Sequence, residues 1–396
     1  MGPGRDHNHH TGRPAWTWLP LAAMGLAVAV WLFFWTRRLG LSWGLRAPGA
    51  TVAAGAVALA ALLSLVWRPI PIKASTVAVA YLLLFSLLTA ATRPLLRLWD
   101  LTWLPLLWDS GLLVLALTAC LLLYGWLHGR RTRLKQYQLR LSRPLPGREG
   151  PGRLRLAVLS DVHMGFSVDE KRLAAQCERL AAARPDLLLI LGDLVDDQTQ
   201  AGQMRAACRL LGQIPCPGGA FFVYGNHDLA CHGPQLRFSR EELAGELAAN
   251  HITILDDAWR QAELPGLSQP LLLAGRRDAG FGPERCGGRL ALGQLLAQAP
   301  AGLPIILLDH QPRQLREAER AGADLLLSGH THGGQLWPVG WLRAILSPHN
   351  PGRGYYRHGR LQVIVTAGLG NRGNRLRSGC TAETLIIDIR GDEGQK

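Results

Sequence analysis

Residues 156–165 read LAVLSDVHMG. The apolar run Leu156–Leu159 ends in Ser160-Asp161-Val162-His163, the pattern of a buried strand that delivers an Asp and a His, two apart, at its carboxyl end. In extended chain, residues i and i+2 face the same side, so one metal ion can accept both. Taken alone, such a pair is more often a hydrogen-bonded turn. Four further stretches repeat it: LLLILGD (187–193), FFVYGNHD (221–228), PIILLDH (304–310) and DLLLSGHTH (324–332). Each apolar run ends in Asp, Asn or His, at the edge where α/β sheets gather their sites. Repetition in one phase takes the pattern beyond turn chemistry.

The chain has 396 residues, 48% of them apolar, and a formal charge of +14, enough for more than one domain. Residues 1–15 read as a polar, disordered tail. Four apolar stretches follow, Trp16–Trp35, Ala50–Trp67, Ser75–Thr92 and Pro105–Leu127, without Lys, Arg or Glu. Each is close to the ~20 residues a helix needs to cross a bilayer, and Trp16, Trp18, Trp35, Trp67, Trp103 and Trp126 stand at or near their ends, as an interfacial belt does. Residues 16–128 are therefore expected to form a transmembrane helical anchor of about four spans, against the alternative of a soluble helical bundle.

Between Gly129 and Arg155 stand nine Lys or Arg and one acid, Glu149. Such a segment stays on the cytoplasmic side, which makes the expected protein a multi-pass cell-membrane protein with its carboxyl-terminal domain in the cytoplasm. Pro144, Pro146, Gly147, Gly150, Pro151 and Gly152 mark residues 129–152 as a linker. After an apolar span, its charge suits anionic lipid headgroups rather than nucleic acid.

Residues 153–390 alternate short apolar runs with segments of helical period, Asp169–Ala183, Ser239–Asn250, Arg289–Gln298 and Pro312–Arg320, with late strands at Leu361–Thr366 and Glu383–Ile389. Ser239 with Glu242 forms a capping box. The seven Cys show no CxxC and read as free thiols, which fits a reducing compartment.

Asp161-x-His163, Gly192-Asp193, Gly225-Asn226-His227-Asp228, His310 and Gly329-His330-Thr331-His332 together resemble the calcineurin-like metallophosphoesterase superfamily, in its block order and over residues 153–390. LLDHQP (307–312), SGHTHGGQLWP (328–338) and Gly368-Leu369-Gly370 are similar to its membrane-associated YkuE/YaeI-like branch. The resemblance implies a two-sheet αββα sandwich carrying two divalent ions: manganese, favoured, or iron, zinc, cobalt or magnesium. One ion would be held by Asp161, His163, Asp193 and His332, the other by Asp193, Asn226, His310 and His330, with Asp193 bridging. Such a pair activates water and neutralises phosphoryl charge. His227 would serve the leaving oxygen, oriented by Asp196 or, in competition, Asp228. Asp228 is more simply read as securing its own turn.

Protein Ser/Thr phosphatases of this superfamily carry Gly-Asp-x-x-Asp-Arg-Gly. Here Asp197 stands where the phosphate-gripping Arg would be, which speaks against phosphoprotein hydrolysis. Seven Arg between Pro338 and Arg377 (343, 353, 357, 360, 372, 375, 377), with Arg276 and Arg277, suit an anionic or lipid-linked phosphate, against a plain solvated face. Trp337, Trp341, Leu342, Ile345 and Leu346 read equally as core or as an apolar lip at the bilayer. The expected activity is hydrolysis of a phosphoester, phosphodiester or pyrophosphate, with UDP-diacylglucosamine a candidate substrate from the branch resemblance. A general phosphodiesterase with a locating anchor, or a non-catalytic membrane protein with a structural metal domain, are the alternatives.

Overall fold

Alternation along the strands builds a four-layer sandwich. The computed structural model describes residues 19–66, 74–98, 111–148, 150–231, 236–280, 288–347 and 352–391. The first sheet contains β1 (Thr132–Arg140), β2 (Arg153–Leu159), β3 (Leu187–Ile190), β4 (Ala220–Phe222) and β5 (Ile252–Ile254). The second contains β6 (Ala258–Ala262), β7 (Leu271–Gly275), β8 (Ile305–Leu308), β9 (Leu325–Ser328), β10 (Gly354–His358) and β11 (Leu361–Val365); β12 (Ala382–Arg390) returns to the first. Their orders are β1-β12-β2-β3-β4-β5 and β10-β11-β9-β8-β7-β6. Strands β2 to β5 run parallel, as do β7, β8, β9 and β11.

Successive side chains of one strand face opposite ways. In β2, Leu156 and Val158 point between the sheets, where they meet Leu187 and Leu189 of β3, Ile306 and Leu308 of β8, and Leu325 and Leu327 of β9. Ala157 and Leu159 point outward, beneath Leu173, Cys177 and Leu180 of α5 (Glu170–Ala182), Met204 and Leu211 of α6 (Ala201–Gly212), and Leu243 and Leu247 of α7 (Arg240–Ala249). On the far side, Leu307, Leu326 and Val363 pack with Leu315 and Ala318 of α8 (Leu315–Arg320). The αββα sandwich is thus present, with parallel strands buried on both faces, which is why they read as continuous apolar runs.

The capping box at the start of α7 forms as expected: Ser239 Oγ accepts from the Glu242 backbone N–H at 3.1 Å, and Glu242 Oε2 accepts from the Ser239 N–H at 2.7 Å. Ser239→Ala is expected to lower stability by about 1 kcal/mol in urea unfolding, because it strands one of the helix's free N–H groups.

The segment 129–152 is not a linker throughout. Strand β1 pairs in parallel with β12 in unbroken register, Thr132 with Ala382 to Arg140 with Arg390. Its charged and polar residues face outward from a sheet edge, while Leu139 is buried, so charge masked the strand. The helical segment expected over 289–298 contracts to Leu292–Leu295, and that over 312–320 begins at Leu315, after Gln314 in a left-handed conformation.

Residues Met1–Leu122 form a separate unit. It contains α1 (Leu19–Ser42), α2 (Ala47–Val66), α3 (Ala74–Leu98) and most of α4 (Leu112–His128), one helix for each apolar stretch. Among the described residues, no helix is long and apolar enough to cross a membrane. Residues 1–18, 67–73 and 99–110, which include the expected tail and parts of the expected spans, lie outside the described residues.

Candidate metal centre

Every motif stands where the strand pattern put it, just past a carboxyl end: Asp161 and His163 after β2, Asp193 after β3, Asn226 and His227 after β4, His310 after β8, His330 and His332 after β9. Five of these residues take left-handed backbone, Asp161 (φ 52), His163 (φ 48), Asp193 (φ 53), His330 (φ 67) and His332 (φ 49). Non-glycine residues there cost about 1–3 kcal/mol each and persist where surrounding structure enforces them, chiefly at functional sites. Glycines let the loops close up. A Cβ on Gly225 would come within 2.2 Å of Asp193 Oδ1, and one on Gly329 within 2.0 Å of Ser160 Oγ.

Two clusters result, Asp161–His163–His332 and Asp193–His310–His330, all buried except half-buried His330, with the ligand atoms of each within 4.8 Å of one another. In the first, His163 Nε2 lies 3.3 Å from His332 Nε2, and His332 Nε2 lies 3.4 Å from Asp161 Oδ1. His163 Nδ1 faces Asp196 Oδ2 at 3.4 Å, and His332 Nδ1 faces the Gly370 carbonyl at 3.4 Å. Both Nε2 atoms therefore point at one another beside Asp161, within reach of a single cation. In the second cluster, the Leu191 carbonyl 2.7 Å from His310 Nδ1 leaves Nε2 to face Asp193 Oδ2 at 3.1 Å. Asp193 Oδ2 is also 3.9 Å from His163 Nε2, so this carboxylate stands between the clusters.

Orphaned atoms point the same way. Asn226 Oδ1 and Nδ2, His227 Nε2 and His330 Nδ1 are buried without a hydrogen-bond partner. Buried polar groups are ordinarily satisfied, so unsatisfied N and O donors converging beside carboxylates fit divalent ions. Burial works against charge on Asp193, yet the imidazoles of His310, His227 and His163 hold its carboxyl well below the usual range. Burial lowers His227 to about 4 and His330 to about 3, so both rings are neutral at pH 7, the form in which His330 can ligate.

Residues 154–334 match the family description "Calcineurin-like phosphoesterase". These residues are a calcineurin-like phosphoesterase domain. A "Transmembrane protein with metallophosphoesterase domain" from Danio rerio is 30% identical over 70% of this chain and 62% of its own length. The "Uncharacterized metallophosphoesterase YkuE" of Bacillus subtilis is 26% identical over 60% of this chain and 79% of its own. Among solved structures, a dimetal phosphatase from Danio rerio matches 54% of this chain and 87% of its own at 14% identity, with a TM-score of 0.32. The chain spans 62%, 48% and 60% of the lengths of three curated relatives, from Danio rerio, Caenorhabditis elegans and Helicobacter pylori.

The phosphoesterase domain departs from the sequence reading at Asp196. This carboxylate faces His163, not His227, and its own geometry is fixed by the Gln198 N–H at 2.9 Å. The spacing after Gly-Asp correctly placed an acid behind a histidine, but the neighbouring loop decides which histidine. His227 is instead set by its backbone N–H, which donates to Asp193 Oδ1 at 2.8 Å, and its ring stands edge-on to His163 with centroids 4.9 Å apart. Asp196→Asn is therefore expected to weaken metal binding by about 10–100-fold, measured by competition with a fluorescent chelator.

Asp228 secures its turn, as the simpler reading had it. Oδ2 accepts from the Asp193 and Gly225 N–H groups at 2.7 and 2.8 Å, and Oδ1 from the Val195 N–H at 3.1 Å.

Several Arg read as an anion-facing group are structural. Arg377 is fully buried and donates to the carbonyls of Ala367, Gly368 and Gly370, which positions the loop behind His332. Arg276 is buried beside Asp309 (3.7 Å) and Glu317 (3.5 Å), and Arg277 pairs with Asp256 at 2.7 Å. Arg372 is exposed, and its charge lowers the proton affinity of His227, His330 and His332. Composition carried no signal for such backbone-bracing Arg. The free-thiol reading also needs correction: Cys231 is disulfide-bonded, while Cys120, Cys177, Cys208, Cys216 and Cys380 are free.

Proposed function

We propose that the chain is a membrane-anchored, binuclear metal-dependent phosphohydrolase that cleaves a phosphoester, phosphodiester or pyrophosphate bond in a lipid-linked substrate such as UDP-diacylglucosamine. The observation that carries the hydrolase reading is Asp193 between two His/Asp clusters, with Asn226, His227 Nε2 and His330 Nδ1 buried beside them without a partner. Two divalent ions, manganese being favoured, would supply an activated water and neutralise phosphoryl charge. Asp161, His163, Asp193 and His332 would hold one, and Asp193, Asn226, His310 and His330 the other. Asp196, Leu191 and Gly370 fix the imidazoles from behind. His227 keeps a free Nε2 on the same side and serves the leaving oxygen, its proton affinity rising when an anionic phosphate arrives. Arg372 adds positive potential, in place of the Arg that Asp197 replaces.

Anchoring is supported by the four Lys/Arg/Glu-free apolar stretches and by the printed names of the Danio rerio and Bos taurus relatives, "Transmembrane protein with metallophosphoesterase domain". An anchor confines the enzyme to lipid-borne substrates at high local concentration. The basic segment after α4 favours a cytoplasmic domain. A second reading puts the domain on the opposite face, because the disulfide at Cys231 suits an oxidising compartment. Protease access in sealed vesicles separates the two.

The test is hydrolysis by the full chain in detergent micelles with manganese, offering an aryl phosphodiester beside UDP-diacylglucosamine. Lipid turnover far above the aryl ester is expected. Aryl-ester turnover alone removes the lipid substrate and leaves a general phosphodiesterase. No turnover with any divalent ion favours a structural metal domain.

A further inference from the structure

Helix α9 (Val339–Leu346) begins seven residues after His332 and has no buried residue. Val339, Leu342 and Leu346, with Trp341 and Ile345, recur at the three- and four-residue spacing that makes one apolar face. They are exposed, Trp341 at 63% and Leu346 at 77%. The core alternative for these residues is therefore excluded, and an exposed apolar patch needs an occupant.

A second exposed apolar element is tied to the same loop. The Trp337 N–H donates to Ser378 Oγ at 3.0 Å, and Ser378 lies against Gly125 near the end of α4. There Leu123, Tyr124, Trp126 and Leu127 are also exposed, and Arg130 stacks on Trp126 at 3.7 Å. His128 pins this end to the domain, Nδ1 at the Arg377 carbonyl and Nε2 at Thr381 Oγ1, each at 3.0 Å. The surroundings are mainly basic: Arg130, Arg353, Arg372 and Arg375 are exposed, Asp169 lines the cavity beside Arg130 and Arg375, and no acid occurs between Pro338 and Arg377.

We propose that α9, with the end of α4, is a docking face for an anionic phospholipid bilayer, which holds the mouth of the metal centre at the headgroup level. This deepens and rests on the lipid-substrate reading above. Tryptophans on an apolar face rimmed by Arg match the headgroup boundary, and each Arg there adds about 1 kcal/mol of attraction to anionic lipid. A second copy of the chain would bring the same Arg rims together and repel. The short connection from His332 to α9, closed by Gly334 against Gly340, ties the face to the ligand loop.

The test places an environment-sensitive bimane label at Leu346→Cys in a Cys120→Ser background of the full chain, reconstituted into phosphatidylglycerol-containing vesicles with brominated acyl chains. A second label at exposed Ala248→Cys, on α7, is the control. About twofold or greater quenching at 346 and none at 248 is expected for a helix seated at the acyl boundary. Equal intensity at both positions with and without bromine overturns the proposal, as does protection of 346 that depends on protein concentration rather than lipid. Quenching needs no turnover, so an absent lipid hydrolase activity and an absent docking face give separate results. In the Trp341→Ser/Leu346→Ser variant, aryl-ester hydrolysis is expected to be unchanged while lipid-substrate turnover falls about tenfold.

Discussion

Asp193→Asn is expected to reduce aryl-ester hydrolysis by about 10³-fold or more and to lower bound metal from two ions towards one. The reason is position. Its Oδ2 stands 3.1 Å from His310 Nε2 and 3.9 Å from His163 Nε2, facing one nitrogen of each cluster, and its Oδ1 holds the His227 N–H. An amide is nearly isosteric but carries no charge and offers one acceptor, so it cannot neutralise and join two cations. The Oδ1 contact to His227 survives in Asn, which separates the loss of bridging from the loss of the loop. Asp161→Asn is expected to weaken chiefly the ion beside His163 and His332, because the acceptor for the His330 N–H, 3.0–3.1 Å from the Asp161 carboxylate, survives as the amide oxygen. Metal content by mass spectrometry beside initial rates checks both.

The second large effect concerns folding. Asp228→Ala removes the acceptor of three buried N–H groups, those of Asp193, Val195 and Gly225. Each unsatisfied donor costs about 1–3 kcal/mol, so a loss of about 3–9 kcal/mol is expected in urea unfolding, large beside the margin of about 5–15 kcal/mol that a domain has. Activity falls with it, because Asp193 and Gly225 lose their register. The pH dependence has a definite sign. Burial, with Asp193 adding to it, raises the Asp228 carboxyl in the metal-free protein to about 7. A folded value above the unfolded one means that the folded state binds the proton more tightly, so this group's contribution is full below the ordinary carboxylate range and is lost as pH rises towards 7. The destabilisation by Asp228→Ala is therefore expected to be greater at pH 4 than at pH 8.

What the sequence made legible follows physical lines. Ligand positions were readable because parallel strands buried on both faces appear as apolar runs, and each run stops where its polar side chain leaves the sheet. Asp161, His163, Asp193, Asn226, His310, His330 and His332 all stand at such ends. The groups behind them were not readable. The carbonyls of Leu191 and Gly370, which fix His310 and His332, have no side-chain signature, and Asp196 chose His163 through the path of the next loop. Strand β1 was hidden by its charges, since an edge strand keeps one face in solvent. Arg377, wholly buried, looked in sequence like its exposed neighbours Arg372 and Arg375. The site was written in side chains, and its support in backbone.

The binuclear centre is tested most directly by electron paramagnetic resonance on the full chain titrated with manganese. An exchange-coupled signal that saturates at two ions, and reverts to isolated manganese in Asp193→Asn, is the expected result. Saturation at a single uncoupled ion, or no manganese bound, contradicts a carboxylate-bridged pair at Asp193.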